Sequence, residues 1–490
     1  MKKLRRLLLR TLLFTFAILL GLIGLQSLRF SSRQISLPAV EVLPVADRAV
    51  QRFAASVRIP TISHPDWVDS LAFEQLHAFL DSNFVDLHRE LEHYRVNAFS
   101  RVYHWPGKNS QLRPILFLAH LDVVPVEEST RAEWQQPPFG GVEAEGFVWG
   151  RGTMDDKMNA LGMLEAIQAL LAEGYHPERS VYLAFGHDEE VGGAFGAQAI
   201  ARRFRQQGIE FEYILDEGLL ILEEALPGLA APVTLIGTAE KGYLTLELQL
   251  AIEEGGHSSM PPTETAIGIM SSALHRLDTE PFPARIDGPT AELFRYVGPE
   301  MDQPYQALFA NLWLFGGLLK KQLAAKPSTY ATIRTTTAPT IISGGMTENL
   351  LPTRVTATVN FRILPGESMT SVTQGVRDLI ADPRITVTPT ESLANRDPSP
   401  VSSTSDFGFW VLQKTAREVF PHTVIAPALM VGGTDSRHYT GLAENVYRFS
   451  PVQVQHRDLP RIHGTNERLS VENYRGLIRF YAQLIRNSCK

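Results

Sequence analysis

Five imidazole and carboxylate side chains of this chain follow apolar runs or glycine turns, which are the places where strand ends present ligands in an α/β sheet. Two histidines and three carboxylates form a donor set that suits zinc, with manganese or cobalt as alternatives. A carboxylate can use both of its oxygens to bridge two ions about 3.5–4 Å apart. The sequence therefore predicts a site for two divalent cations per subunit, with these metal ligands: His120, Asp155, Glu190, Asp216 and His463.

Two further acidic side chains flank these positions. Asp122 lies two residues after His120 and projects to the same strand face, where it can accept the other ring N–H and fix the tautomer. Glu189 directly precedes Glu190, and a carboxylate beside a metal-activated water is a natural general base. Each of these residues taken alone is more often a hydrogen-bonded or solvated surface group. Their joint pattern is far less frequent by chance, and it indicates metal-assisted hydrolysis.

The residues that position these groups alternate between strand and helix patterns, which implies a mainly parallel sheet. The stretch 150–157 contains two glycines that permit a tight turn between a strand end and a helix, and that helix ends at Gly174. The other predicted elements of this part are helices at about 70–94, 194–206 and 406–419, and strands at about 114–119, 180–185, 211–215 and 423–430.

The pattern changes at about residue 240. Apolar and polar side chains alternate at 244–252 and again at 355–363, as in a sheet with one covered face. With their neighbouring helices and strands, these segments form a β-α-β-β-α-β set, which indicates an inserted ferredoxin-like domain with its own insertion at 283–335. The predicted fold class is α/β, a mainly parallel-sheet di-metal catalytic domain with an inserted α+β lid or dimerisation domain. The expected division is 46–239 and 393–490 for the catalytic domain and 240–392 for the lid.

The overall composition is that of a globular protein, with 490 residues, 44% apolar and 20% charged. This length indicates two or more domains. A net charge of −7, without a basic patch in the body, argues against nucleic acid as a partner. Cys489 is the only cysteine, so no intrachain disulfide can form.

The first thirty residues differ from the body. A basic cluster ending at Arg10 precedes eighteen uncharged residues, 11–28, which as a helix would span roughly 27 Å, close to a bilayer core. We predict that residues 1–30 form a membrane anchor, that 31–45 form a linker, and that the body is extracytoplasmic, in the periplasm, a lumen or outside the cell. The alternative is a signal segment that is cleaved from a secreted enzyme.

Together these motifs resemble the M20 family of metallopeptidases, which includes aminoacylase, dipeptidases and glutamate carboxypeptidase. The resemblance spans about residues 45–487, and the most similar branch is that of carboxypeptidase S and the N-fatty-acyl-amino-acid hydrolases. The features that suggest this branch are 255–262 (Gly-Gly-His-Ser-Ser-Met-Pro-Pro), 434–439 (Thr-Asp-Ser-Arg-His-Tyr), the insertion and the N-terminal segment. The family motifs are His120-x-Asp122, Gly150-Arg151-Gly152-Thr153-x-Asp155-Asp156-Lys157, Glu189-Glu190, Asp216 and His463.

The resemblance implies how the metal ligands divide. Asp155 would bridge the two ions and be joined to Asp156 by a cis peptide bond. His120 and Asp216 would hold one ion, while the pair formed by Glu190 and His463 would hold the other.

The resemblance also implies catalytic and substrate-binding residues. Glu189 would be the general base, Asp122 the partner of a ligand histidine, and His257 the stabiliser of the oxyanion. In this family that histidine often acts across a dimer interface, which implies a homodimer. The residues that would hold the substrate's backbone and free carboxylate are Asn349, Arg362, Gly433, Thr434 and Arg437.

The leading hypothesis is a zinc-dependent hydrolase that cleaves an amide bond next to a C-terminal carboxylate, as a carboxypeptidase does. An N-acyl-amino-acid hydrolase is the alternative, and the mostly apolar stretch 308–323 could then line an acyl channel, although core packing or a dimer contact explains it at least as well. A non-catalytic metal-binding scaffold would be expected to lack Glu189 or several ligands. A cytosolic deacylase of a biosynthetic intermediate is disfavoured by the N-terminal segment.

Overall fold

The computed structural model of the chain describes residues 2–38, 40–41, 43–253 and 255–490. Residues 1, 39 and 42 of the predicted anchor and linker lie outside this part. The helices are α1 (Lys2–Arg29), α2 (Asp47–Val57), α3 (Ser70–Asn83), α4 (Val85–Glu90), α5 (Lys157–Ala172), α6 (Ala197–Gln206), α7 (Ala266–Thr279), α8 (Gly288–Val297), α9 (Tyr305–Ala310), α10 (Leu312–Leu323), α11 (Pro327–Tyr330), α12 (Met369–Ile380), α13 (Phe407–Val419) and α14 (Val471–Ser488).

The strands are β1 (Glu92–Val96), β2 (Ser100–Trp105), β3 (Ile115–His120), β4 (Val142–Ala144), β5 (Phe147–Trp149), β6 (Val181–Gly186), β7 (Ile214–Asp216), β8 (Ile221–Leu222), β9 (Val233–Glu240), β10 (Gly242–Ala251), β11 (Gly256–His257), β12 (Thr336–Gly344), β13 (Leu350–Leu351), β14 (Arg354–Ile363), β15 (Ile385–Pro389), β16 (Val424–Met430), β17 (Val446–Arg448), β18 (Gln453–Val454) and β19 (Arg468–Ser470).

A ten-stranded mixed sheet forms the centre of the catalytic body, in the order β1-β2-β6-β3-β7-β17-β9-β8-β18, with β16 also paired to β9. Its centre, from β6 through β3 and β7 to β17, is parallel, whereas β1 and β2 are antiparallel additions at one edge. All six residues of β3 are buried, as expected for a parallel strand covered by helices on both faces. The predicted α/β class is confirmed, and the sheet combines a parallel centre with antiparallel strands towards its edges.

Helices cover the two faces of this sheet. α5 packs against β3, α2 and α14 on one face, and α6 packs against β6 on the other. The predicted helix at 70–94 is instead α3, α4 and β1 in succession. The break occurs at Phe84, whose backbone leaves the helical region and whose ring is fully buried. Burial of an aromatic side chain at this point outweighs continuation of the helix.

The inserted domain is a four-stranded antiparallel sheet in the order β12-β14-β10-β15. Taken in chain order with α7 and α12, this arrangement is ferredoxin-like. The apolar residues of the two alternating strands face these helices and form a separate core, whereas their polar residues lie on the opposite face. The observed inserted α+β domain agrees with the predicted fold class.

The insertion 283–335 lies within the lid in sequence but packs on the catalytic body. Helix α8 runs beside β16. The buried side chains of Phe294, Val297 and Phe309 belong to the same hydrophobic core as the catalytic sheet. The insertion therefore thickens the catalytic body rather than the lid.

The N-terminal helix α1 projects from this insertion. The most apolar 18-residue window of this helix has a mean hydropathy of 2.2 and none of it is buried, so by length and composition the helix could cross a membrane. The following segment is tied to the body, because the amide of Gln34 forms two hydrogen bonds of 2.9 Å with the backbone of Ile425 on β16.

Candidate active site

The candidate ligands converge at the carboxyl ends of the parallel strands. His120 is the last residue of β3, and Asp216 is the last residue of β7. The pair Glu189-Glu190 follows β6 in a short 3₁₀ turn, and Asp155 precedes α5. Since strands that run parallel end at one edge, residues far apart in sequence meet there.

Asp155 lies between the two histidines. One of its carboxylate oxygens is 2.8 Å from Nε2 of His120, and the other is 3.0 Å from Nε2 of His463. The same nitrogen of His463 is 3.2 Å from Glu190. Ligand atoms of His120, Asp155 and Glu190 all lie within 4.8 Å of one another. A carboxylate that faces two imidazoles through different oxygens has the geometry of a bridging ligand.

A second group contains Glu217 rather than its predicted neighbour Asp216. Ligand atoms of His120, Asp156 and Glu217 lie within 4.8 Å of one another. Asp216 lies in neither group, because its two oxygens accept the backbone N–H groups of Ser436 at 2.6 Å and of Glu217 at 2.9 Å. The geometry therefore offers Glu217 as a candidate ligand beside the predicted Asp216.

The electrostatics of the two groups suit cations. Hydrogen bonds to Asp155 and Glu190 raise the pKa of His463 to about 10. Burial, together with repulsion from Asp155 and Asp156, raises the pKa of Glu217 well above its usual value. One oxygen of Glu190 is buried without a hydrogen-bond partner. Several carboxylates and two imidazoles in so small a volume need positive charge, so the residues present fit divalent metal ions.

The turn that carries Asp155 is held from several sides. A cis peptide bond joins Asp155 to Asp156, as the family resemblance implied. Gly152 has φ of +84°, and a Cβ there would lie 2.6 Å from Val123, so only glycine fits. The buried ammonium of Lys157 donates to the carbonyl of Ser56 at 3.0 Å.

Asp122 organises the neighbouring loop as well as a ligand. Its Oδ1 is 3.3 Å from Nδ1 of His120, and its two oxygens accept the backbone N–H groups of Glu189 and Glu190 at 3.2 and 3.1 Å. It is fully buried. One carboxylate thereby sets the orientation of a histidine and the position of both adjacent glutamates.

His463 has a strained backbone that a buried ion pair supports. Its φ is +60°, which a residue with a Cβ rarely adopts. Arg151 donates to the carbonyl of His463 at 3.0 Å and to Glu467 at 2.5 Å. Glu467 in turn accepts the N–H of Met154. This ion pair connects the loop of His463 with the turn of Asp155.

Glu189 is paired with Arg437. The guanidinium donates to Glu189 at 3.1 Å and to the carbonyl of Thr434 at 2.9 Å. Burial raises the pKa of Glu189 to about 7, although the positive charge of Arg437 opposes the shift. A carboxyl group with a pKa near neutrality can both accept and return a proton.

A cavity of about 580 Å³ opens beside Glu189. Three guanidinium groups line it, those of Arg362, Arg396 and Arg437. Arg362 lies 4.6 Å from the ring centre of Tyr243 and Arg396 lies 6.0 Å from it. Burial lowers the pKa of Arg396, and the nearby positive charge of Arg437 lowers it further. Converging guanidinium groups of this kind favour an anionic ligand.

The two neighbouring residues predicted to bind substrate, Gly433 and Thr434, lie in different positions relative to the cavity. Gly433 lines the cavity, and a Cβ there would lie 2.2 Å from Arg396. Thr434 is buried, and its hydroxyl and N–H both donate to Glu240, at 2.6 and 2.9 Å. Thr434 therefore supports the loop from behind rather than facing the cavity.

Two of the predicted lid residues, His257 and Asn349, lie close together at the small β11–β13 sheet, which is separate from the ten-stranded sheet. His257 on β11 pairs with Leu350 on β13, and the carbonyl of Asn349 accepts the N–H of Ser258. Both His257 and Asn349 are exposed. The side-chain contact of His257 is with Ser259, at 2.9 Å. The structure thus places this pair on the open surface of the lid.

Sequence reasoning missed Glu217, Arg396 and Tyr243. Glu217 directly follows an assigned ligand, and the glycine after it, with φ of +136°, was the available signal that the strand ends there. Arg396 lies just after the predicted boundary between the lid (240–392) and the second catalytic segment (393–490). It reaches the cavity because its backbone pairs with Tyr243, a contact between segments far apart in the chain.

The chain is similar over most of its length to known proteins. Peptidase family M20/M25/M40 matches residues 116–487. The probable carboxypeptidase S-like 2 of Dictyostelium discoideum is 40% identical over 488 residues, which cover 96% of this chain and 92% of that protein. The N-fatty-acyl-amino acid synthase/hydrolase of Xenopus tropicalis is 39% identical over 444 residues, 90% of this chain and 85% of that protein.

A solved structure has the same fold. The M20 family metallo-carboxypeptidase Sso-CP2 of Sulfolobus solfataricus matches with a TM-score of 0.65 and covers 90% of this chain and 99% of its own. The sequence identity is 16%, so this likeness concerns the fold alone.

Proposed function

The chain belongs to peptidase family M20/M25/M40, and on that premise we propose that it is a two-zinc hydrolase that cleaves an amide bond next to a free carboxylate. The predicted family, its carboxypeptidase S and N-fatty-acyl-amino-acid hydrolase branch, and the enzyme class are confirmed. The observation that carries the finer proposal is the arginine-lined cavity beside Glu189.

We propose five metal ligands from the geometry of the two groups of candidate ligand atoms around His120. Asp155 would be shared by the two ions, His120 and Glu217 (with the predicted Asp216 as the alternative) would hold one of them, and Glu190 with His463 would hold the other. Histidine nitrogen and carboxylate oxygen suit zinc, with manganese or cobalt as alternatives. When bound, two such ions polarise the scissile carbonyl and lower the pKa of water.

Side chains of the protein would supply the proton transfer and the binding of the substrate carboxylate. Glu189 accepts the proton of the attacking water and returns it to the leaving amine. Arg437 holds Glu189 in place through the contact of 3.1 Å. Arg362 and Arg396 bind the carboxylate of the departing amino acid, since a planar guanidinium matches a carboxylate in geometry and charge.

His257 stabilises the oxyanion after the lid moves or a second copy supplies it. The support for this proposal is the family resemblance, together with the exposure of His257 on a strand outside the ligand-bearing sheet. The lid also offers a surface for a homodimer, because β12 is an edge strand whose Ile341 and Ile342 are exposed, and an open apolar edge invites pairing. Asn349 beside His257 would enter the site by the same movement.

An N-acyl amino acid is the second candidate substrate. Val191 and Leu393 line the cavity, and their exposed fractions are 37% and 96%. These apolar side chains beside the arginines favour a substrate with an apolar acyl group and a carboxylate. The proposed membrane anchoring by α1, with secretion after cleavage as the alternative, would place the enzyme near such substrates.

The test uses the full chain in detergent, stripped with a chelator and reloaded with zinc. We would measure release of free amino acid from a blocked dipeptide and from a long-chain N-acyl amino acid, each compared with its carboxamide counterpart. The control variant is Glu189→Gln. We expect zinc-dependent release from the free acids, little release from the carboxamides and none from the variant.

The rate ratio between the two acids distinguishes the carboxypeptidase from the N-acyl-amino-acid hydrolase. If zinc is bound and neither acid is cleaved, the proposed substrate class is wrong. Equal cleavage of acids and carboxamides would remove the role of the arginine-lined cavity.

A further inference from the structure

The base of α1 is packed against the insertion. Leu19, Ile23 and Ser27 are the partly buried positions of its second half, and their spacing of four places them on one face of the helix. The fully buried Asn311, between α9 and α10, lies within hydrogen-bond distance of the Ile23 carbonyl (3.3 Å) and of the Ser27 hydroxyl (3.4 Å). This contact fixes α9 and α10 at a definite height along α1.

That height can be expressed as a depth in a bilayer. Arg10 and Arg29 bound the eighteen uncharged residues of α1, and the nineteen residue steps from one arginine to the other rise about 28 Å, close to the thickness of the hydrocarbon core. If these arginines mark its two boundaries, Ile23 lies six residues, or about 9 Å, inside the core. Any segment in contact with Ile23 must then enter the same layer.

The surface of α10 is suited to that layer. Trp313, Leu314 and Leu318 are 57%, 40% and 58% exposed and lie on one side of the helix. The basic residues of its last turn are Lys320 and Lys321. Interfacial helices combine an exposed apolar side, often with tryptophan, and lysines that contact lipid phosphates, and they enter the boundary by about 5–10 Å.

We propose that α9 and α10 form a second membrane contact, in which the exposed side of α10 lies in the bilayer that α1 crosses. The continuity of α10 with α1 through Asn311 identifies the bilayer as the occupant of this apolar surface. The contact holds the catalytic body in one orientation on the membrane. The inference rests on the membrane crossing of α1 within the proposed function, but it does not depend on the reaction.

The test places a fluorescent label at single exposed positions of the full chain in lipid nanodiscs. The labelled variants are Leu318→Cys on α10, Leu71→Cys on α3 as the matched exposed leucine of the body, and Leu13→Cys on α1. Cys489 is buried, and the unsubstituted chain reports any background labelling. Each label is quenched separately by spin-labelled lipid and by aqueous iodide.

We expect the labels at 13 and 318 to be quenched by lipid at least about threefold more than the label at 71, and to be shielded from iodide. Quenching at 13 without quenching at 318, with iodide access at 318 equal to that at 71, would overturn the proposal. Shielding at 318 from both quenchers would also overturn it, because a second copy would then cover the surface. Activity does not enter the measurement, so either result leaves the proposed reaction unaffected.

Discussion

The metal-ligand edge of the catalytic body and the tip of the lid both contain residues of the proposed reaction, but the two sets differ in burial and in the number of their contacts. At the edge, His120, Asp122 and Asp156 are buried and held by partners from several strands and loops. At the tip, His257 and Asn349 are exposed, with side-chain contacts to residues two positions away. Under the proposed function the edge is preorganised, whereas the tip would reach a working position by movement of the lid or from a second copy.

Because of this difference, substitutions in the two regions should affect different properties of the protein. A change at the edge alters groups that are desolvated and coupled, so catalysis, metal binding and stability respond together. A change at the tip removes a group with few contacts, so catalysis should respond alone. The following substitutions test this separation.

The largest effect is expected for Glu189→Gln. The amide retains the shape of the side chain but cannot accept a proton, so kcat should fall by about 10²–10⁴. Metal content and thermal unfolding, measured on the same sample, should change little. A variant with nearly normal kcat would show that another group is the base.

A smaller loss of kcat, by about 10²–10³, is expected for His257→Ala, the size typical of a lost oxyanion donor. Because the side chain is exposed, the melting temperature and metal content should equal those of the parent. Ser259→Ala, which removes the recorded partner of His257, serves as the control. Loss of stability in His257→Ala would contradict the contrast between edge and tip.

The third prediction separates two adjacent acids at the edge. Glu217→Gln should weaken binding of one metal ion by at least about tenfold, measured by metal titration of the stripped protein. Asp216→Asn should chiefly lower the free energy of unfolding, by about 1–3 kcal/mol, because its carboxylate accepts two backbone N–H groups. The reverse assignment would return the ligand role to Asp216.

The smallest effect is expected for Arg396→Gln. Loss of one charged hydrogen bond to the substrate should raise KM for a free acid by about tenfold, while the carboxamide should be unaffected. Arg354→Gln changes an exposed arginine on β14 and is the matched control. An equal change in KM for acid and carboxamide would exclude carboxylate binding by Arg396.

Much of the fold followed from local patterns. Alternation at 244–252 and 355–363 predicted the lid strands because one face of that sheet is covered and the other is not. Strand ends followed by imidazole and carboxylate groups predicted where most of the candidate ligands would meet. These signals are local, since side-chain direction and burial repeat with the period of each element.

Tertiary packing decided what local patterns could not. The backbone N–H of Ser436, 220 positions further along the chain, donates to the carboxylate of Asp216. The side chain of Glu217 faces His120. Backbone pairing with Tyr243 brings Arg396 into the cavity.

The sequence by itself determined the donor types, the alternation of strands and helices in the catalytic body and the inserted lid, because these depend on composition and periodicity. Only the tertiary structure decided that Glu217 faces His120 while Asp216 accepts backbone N–H groups, that Thr434 supports a loop, and that the insertion 283–335 joins the catalytic body. Each of these outcomes depends on a partner far away in the chain, and a hydrogen bond or a packed side chain forms only where the fold brings that partner.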